Sequence, residues 1–173
     1  PGVFKLLSEN TGLTFVFVEA SSYAEAIDMV KSGMADVFGD FLSHSTAENF
    51  GELITTKNYL SMNSIILRNK DITLADPALK EAVIYGFDDS HTIKHSSNIN
   101  FPDYSGCLEA INSGEADYTV MPIAVLQHLY MQDYYSNIIP VVDQSKRYLS
   151  IAMNKNVDMN LYTVLSLSLI HIS

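Results

Sequence analysis

The sequence predicts an α/β fold of two lobes, each a β-sheet flanked by helices, and three observations predict it. Helix-like and strand-like runs alternate along the chain. One unit, a helix closed by Ser-Gly and followed within three residues by Ala-Asp and a strand, occurs twice. Two long strand-like stretches, Tyr59 to Arg68 and Val142 to Met153, are suited to carry the chain from one lobe to the other.

Val3, Phe4, Leu6 and Leu7 recur at helical spacing, and Thr11-Gly12 supplies the stop, so a helix is expected over 3–10. Leu13 to Val18 is β-branched and aromatic and predicts a strand. Ser21-Ser22 then caps a second helix, with Ala26, Ile27, Met29 and Val30 as its apolar face, and Ser32-Gly33 ends it before a short strand over 36–39. This β-α-β order predicts parallel pairing. Residues 41–57 are polar and read as irregular, and Tyr59 to Arg68 reads as a long strand running to the turn Asn69-Lys70-Asp71.

After Asp76-Pro77, a short helix is expected over Ala78 to Glu81, then a strand over Ala82 to Phe87. Asp88-Asp89-Ser90 gives a helix N-cap for His91 to Ser96. A helix over 105–112, a strand over 116–121, a helix over 123–132, strands over 138–142 and 148–153, and a last helix after Asp158 complete the reading. The repeat aligns Ala26 to Asp36 with Cys107 to Asp117. In each copy the glycine closes the helix and the aspartate opens the strand, a compact αβ connection before it is any chemistry.

Composition narrows the function. The 173 residues are 47% apolar and 17% charged, which is globular, and the net charge of -10 comes without a basic cluster. Nucleic-acid binding needs clustered Lys and Arg to displace counterions, so that class is set aside. Cys107 is the sole cysteine, which excludes an internal disulfide and a thiolate metal cluster. The chain starts at Pro1, and a preceding segment is expected. Leu161 to Ser173 is too short and Ser-rich to span a bilayer, and 166–173, SLSLIHIS, is similar to translated sequencing-adapter read-through.

The ordered set Phe4 to Leu13, Tyr23 to Ser32, Gly33-Met34-Ala35-Asp36-Val37, Asn58-Tyr59-Leu60 before Ser64 to Arg68, Cys107 to Asp117 and Tyr148 to Met153 resembles the family 3 bacterial extracellular solute-binding proteins. The resemblance runs from Pro1 to about Leu165. It implies the type II periplasmic-binding fold, with 1–60 and 146–165 in lobe 1 and 61–145 in lobe 2, and a first strand of lobe 1 lying ahead of Pro1. It implies a non-enzymatic domain on the periplasmic or extracellular face of a bacterial membrane, with no cofactor, whose lobes close on a small polar solute. The partner is a membrane permease or a transmembrane signalling module in the same chain.

Family members that hold α-amino acids use an Arg after the first Ala-Asp strand and an acid after the second. Those places fall near Ala47 and Pro122 here, so the resemblance points away from the usual amino-acid clamp and toward sensor-kinase and cyclase domains. By position the ligand candidates are Asp40, Phe41, Tyr59, Ser61, Asn63, Ser90, His91 and Met121. Ser90 and His91 would offer a helix N-terminus to a polar or anionic atom, though Ser90 also reads as an ordinary N-cap. Tyr59 reads equally as a ligand-stacking ring or as hinge packing.

Other chemistry is weaker. His91 and His95 stand at i and i+4, but Thr92-Ile93-Lys94 lacks the glutamate of a zinc-protease helix. His44 and His128 are isolated, and no nucleophile-elbow, phosphate-loop or dinucleotide glycine pattern occurs. Tyr130, Tyr134 and Tyr135 read as a packing edge. The alternative class is an enzyme on the same fold, dehydratase-like, with Asp40 as its acid.

Overall fold

The computed structural model describes residues 2–42, 51–84, 93, 96–130 and 135–170. The chain forms two compact units. Unit 1 comprises Pro1–Ser21, Glu25–Ser61 and Tyr148–Ser173, and unit 2 comprises Ser22–Ala24 and Met62–Arg147.

Unit 1 opens with α1 (Val3–Thr11), which ends in a left-handed Gly12 whose N–H bonds the Ser8 carbonyl. Helix α2 (Tyr23–Ser32) starts where the Glu25 carboxylate accepts from both the Ser21 N–H and the Ser21 hydroxyl, holding the entering backbone. Strand β1 (Val37–Leu42) follows, then β2 (Leu53–Thr55), and both pair antiparallel with the C-terminal part of β7 (Ile138–Asn154). Helix α5 (Met159–Ile170) packs on α1. Leu7, Ile151, Met153, Leu165 and Leu169 form the buried core, with Phe4, Leu13, Phe15 and Tyr59 packed against it.

Unit 2 holds β3 (Leu60–Asn69), β4 (Lys80–Ile84), β5 (Ser97–Phe101), α3 (Tyr104–Ser113), β6 (Tyr118–Pro122) and α4 (Ile123–Tyr130). Its strand order is β3-β6-β4-β5, with β7 beside β3. Strands β3 and β6 are antiparallel, whereas β4 runs parallel to both β5 and β6. Helix α3 is capped by Asp103, whose carboxylate accepts the Gly106 N–H at 2.9 Å, and buries Cys107, Leu108, Ala110 and Ile111. Beneath the sheet, Ile66, Leu79, Tyr118 and Val120 make a second core cluster.

The repeat is physical. Gly33 and Gly114 both close their helices in the left-handed region, at φ 78° and 82°, where a Cβ is strained. In unit 2 the aspartate that follows fastens neighbouring chain. Asp117 Oδ2 accepts the Lys80 N–H at 2.7 Å, the Asp117 N–H donates to the Lys80 carbonyl at 2.9 Å, and the Asp117 carbonyl accepts the Asn69 N–H at 2.8 Å.

Several expectations need correction. Leu13 to Val18 forms no strand, because no described strand pairs with it. The helix expected over Ala78 to Glu81 is replaced by the start of β4: Asp117 takes both polar backbone groups of Lys80, and Ala78 sits at φ 60°. The polar reading of 41–57 missed β2, and the asparagines of Ser97 to Phe101 hid β5. The two late strands are one continuous β7, and pairing is mixed rather than purely parallel. Of the helix expected over His91 to Ser96, only Ile93 and Ser96 fall among the described residues.

Candidate functional site

The main hollow of unit 1 is a groove of about 840 Å³ running between Leu13–Val18 on one side and Met34–Asp40 on the other, with Phe4, Tyr59 and Leu161 also in its wall. The Phe4 ring lies edge-on to Phe15 and Phe17, with centroids 5.0 and 5.9 Å away, and it covers Gly39 so closely that a Cβ there would fall 2.3 Å from the ring. A smaller hollow of about 530 Å³ is bordered by the same Phe4, Phe15 and Phe17 together with Lys5 and Glu9.

The register of β1 against β7 breaks between Phe38 and Phe41. A break of this kind re-aims the residues it contains, and Gly39 and Asp40 occupy it. The Tyr59 hydroxyl donates to the Gly39 carbonyl, tying the chain ahead of β3 to the irregular stretch. Asp40 and Tyr59 therefore stand together on the groove wall. Packing around the Asp40 carboxyl withdraws part of its hydration and holds its pKa above the ordinary carboxylate value. Burial, and then the negative charge of Asp40, push the Tyr59 phenol well above its ordinary range, so Tyr59 acts as a neutral hydrogen-bond donor.

The other candidates divide. Ser61 and Asn63 are exposed on β3, two residues apart and so on one face of the strand. Phe41 and Met121 are both fully buried, and neither lines the groove. Ser90 and His91 lie outside the described residues, as do His44, His95 and Tyr134. The groove walls Thr14, Phe15 and Phe38 were not among the candidates. Their types are ordinary for strands, and only the missing pairing across them marks the place.

Among the described residues no cluster of three or more His, Cys, Asp or Glu is placed to hold a metal ion, and no helix is long and apolar enough to cross a membrane. Cys107 is buried in α3, and desolvation pushes its thiol up to about 12, which leaves it protonated and inert.

No family model matches the sequence, and no curated protein matches it. Three solved structures that match share one architecture, the two-lobed periplasmic-binding-protein fold, and this chain has that fold. Specifically, the Bordetella pertussis BvgS periplasmic VFT2 domain matches over 99% of this chain and 76% of its own, with TM-score 0.77 and 19% identity. An ancestral arginine-binding protein bound to arginine matches over 98% and 79%, with TM-score 0.70 and 18% identity. The substrate-binding protein of an amino acid ABC transporter matches over 98% and 78%, with TM-score 0.69 and 13% identity. These neighbours are binding proteins and a periplasmic domain, and at such identities the likeness establishes the fold.

Proposed function

We propose that this chain is an extracytoplasmic binding domain of the family 3 solute-binding type, which captures a small polar solute by closure of two lobes. Lobe 1 would comprise 1–60 and 146–165, and lobe 2 would comprise 61–145. The observation that supports this most is the match of nearly the whole chain to the BvgS VFT2 domain and to two amino-acid-binding proteins. Asp40, Tyr59, Ser61 and Asn63, with Ser90 and His91, are the proposed ligand contacts. The first four supply a carboxylate, a phenol oxygen that can accept while its O–H is held by the Gly39 carbonyl, a hydroxyl and a carboxamide, a set suited to a neutral or cationic polar solute.

The sensory role is favoured over transport. The positions where amino-acid receptors of the resembled family carry their Arg and acid are near Ala47 and Pro122 here, and neither side chain can clamp an α-amino acid. Closure would then be read by a transmembrane module as a shift in population between open and closed states.

The test is a thermal-shift screen of the purified chain against amino acids, amines, small carboxylates and sugars. A true ligand stabilises by RT ln(1 + [L]/Kd), about 2.7 kcal/mol at a hundredfold excess over Kd. That gain should shrink tenfold or more in apparent affinity in Asn63→Ala and Tyr59→Phe, with the solute recovered unchanged. Consumption of the solute, or equal stabilisation of both variants, would overturn the reading.

A further inference from the structure

Two irregularities in unit 1 face each other across one strand. Strands β1 and β2 both pair with Ala152 and Met153 of β7, so they lie on its two edges. On the β1 edge the chain takes three steps, Phe38 to Phe41, against two on β7, Ala152 to Ser150. On the other edge, the register that sets Thr55 opposite Ala152 brings Thr56 opposite Ile151 and would bring Asn58 opposite Leu149. Instead it is Tyr59 whose N–H donates to the Leu149 carbonyl, at 2.9 Å. One residue is inserted here as well, and a slip of one residue turns the side chains that follow to the other face. The Tyr59 hydroxyl thereby reaches the Gly39 carbonyl inside the β1 break.

Thr56 stands where this second slip begins. A hydrogen-bonded pair in an antiparallel ladder exchanges two backbone bonds. The Thr56 N–H donates to the Ile151 carbonyl at 3.0 Å, but the Ile151 N–H donates to Thr56 Oγ1, also at 3.0 Å, where an unbroken ladder would offer a carbonyl. The same hydroxyl donates to the Lys57 carbonyl at 3.0 Å. Thr56 is 5% exposed, so both bonds are made away from water, and an apolar side chain of the same shape can make neither.

We propose that Thr56 is the positioning residue of the Tyr59 phenol: its hydroxyl, standing in for a backbone carbonyl, holds the inserted residue that aims Tyr59 over β7 at Gly39. The inference rests on the reading of Tyr59 as a ligand contact, and it extends that site to a side chain outside the groove wall. Burial and the Asp40 charge keep the phenol neutral in this one place, which makes its ionisation a reporter of where Tyr59 points.

The test is a titration of the 173-residue chain, labelled with 13C at tyrosine Cζ and followed by NMR from pH 7 to 11 without solute. The Tyr59 line is the one lost in Tyr59→Phe. In the parent, Tyr59 should be less than about a tenth ionised at pH 11, where an ordinary phenol of pKa about 10 is mostly ionised. Thr56→Val and Thr56→Ala should each leave it more than about half ionised there, and Thr56→Ser should restore the parent curve. A threonine that only supports the fold would lower Tm in Thr56→Val and leave the Tyr59 curve unmoved, and that result overturns the proposal. Loss of the native amide spectrum at pH 7 in both Thr56→Val and Thr56→Ala overturns it too, by making Thr56 a structural residue. So does a parent whose Tyr59 titrates with the other tyrosines, a result that needs no variant. Because no solute is present, the titration decides the role of Thr56 whether or not the thermal-shift screen returns a ligand.

Discussion

Removing a single oxygen from unit 2 offers a sharp test of how its sheet is held. Glu81 on β4 and Tyr118 on β6 are register partners, 1% and 0% exposed, and the Tyr118 hydroxyl donates to Glu81 Oε2 at 2.8 Å. Tyr118→Phe keeps the ring and opens no cavity, so its cost isolates the loss of that donor to a buried carboxyl, about 1–3 kcal/mol. For a chain of this size each kcal/mol moves Tm by roughly 2–4 °C, so a drop on the order of 2–12 °C is expected. Urea unfolding of the parent, Tyr118→Phe, Glu81→Gln and the double variant gives the coupling directly, and the two single losses should fail to add by about 1 kcal/mol or more. If Tyr118→Phe costs less than about 0.5 kcal/mol, the usual range for an inconsequential substitution, and the cycle shows no coupling, then the bond across β4 and β6 does not hold the sheet.

Asp40 should make stability depend on pH. Its folded pKa is raised, so the folded chain binds that proton more tightly than the unfolded chain, and stability falls as pH rises from the unfolded value through the folded one. Asp40→Asn should therefore gain on the parent in urea midpoint between acidic and neutral pH, and a constant difference would refute the assignment. Cys107, with its thiol pushed up to about 12 by burial, should resist Ellman's reagent at pH 8 in the folded chain and react at once in denaturant; rapid native labelling would contradict its placement. Gly33→Ala and Gly114→Ala should each cost about 1 kcal/mol, since both sit at positive φ; a neutral or stabilising effect, measured by urea midpoint, would show that the helix stops are not left-handed.

The parts of the fold legible in the sequence are those specified locally. Gly33 and Gly114 stop their helices whatever surrounds them, and the buried pairs Ile27 and Val30 on α2 and Cys107 and Ile111 on α3 stand three or four residues apart, as one helix face requires. The parts that were not legible are decided at a distance. Ala78-Leu79-Lys80-Glu81 has good helix formers, but Asp117 claims the Lys80 backbone from another strand. Leu13 to Val18 has strand residues and no strand, because a ladder needs a neighbour that local propensity cannot supply. The same limit governs the site. Tyr59 could be chosen for its position, but the break in β1 register that brings Asp40 beside it is a property of pairing with β7. Phe41 and Met121 were chosen for their places along strands, and which side of a strand is covered depends on what packs over it.

Unit 1 is assembled from pieces at both ends of the chain, whereas unit 2 is almost one continuous run. During synthesis β1 emerges well before its partners in register, Leu149 to Met153, which follow it by more than a hundred residues. At about 5–20 residues per second the wait is on the order of ten seconds, long compared with helix formation, hairpin closure or hydrophobic collapse. Unit 2 can meanwhile close on itself through β3, β4 and β6. The half that carries Asp40 and the groove is thus the last to form and the longest exposed, and it is there that slow synthesis, a chaperone or a truncated message would leave its mark.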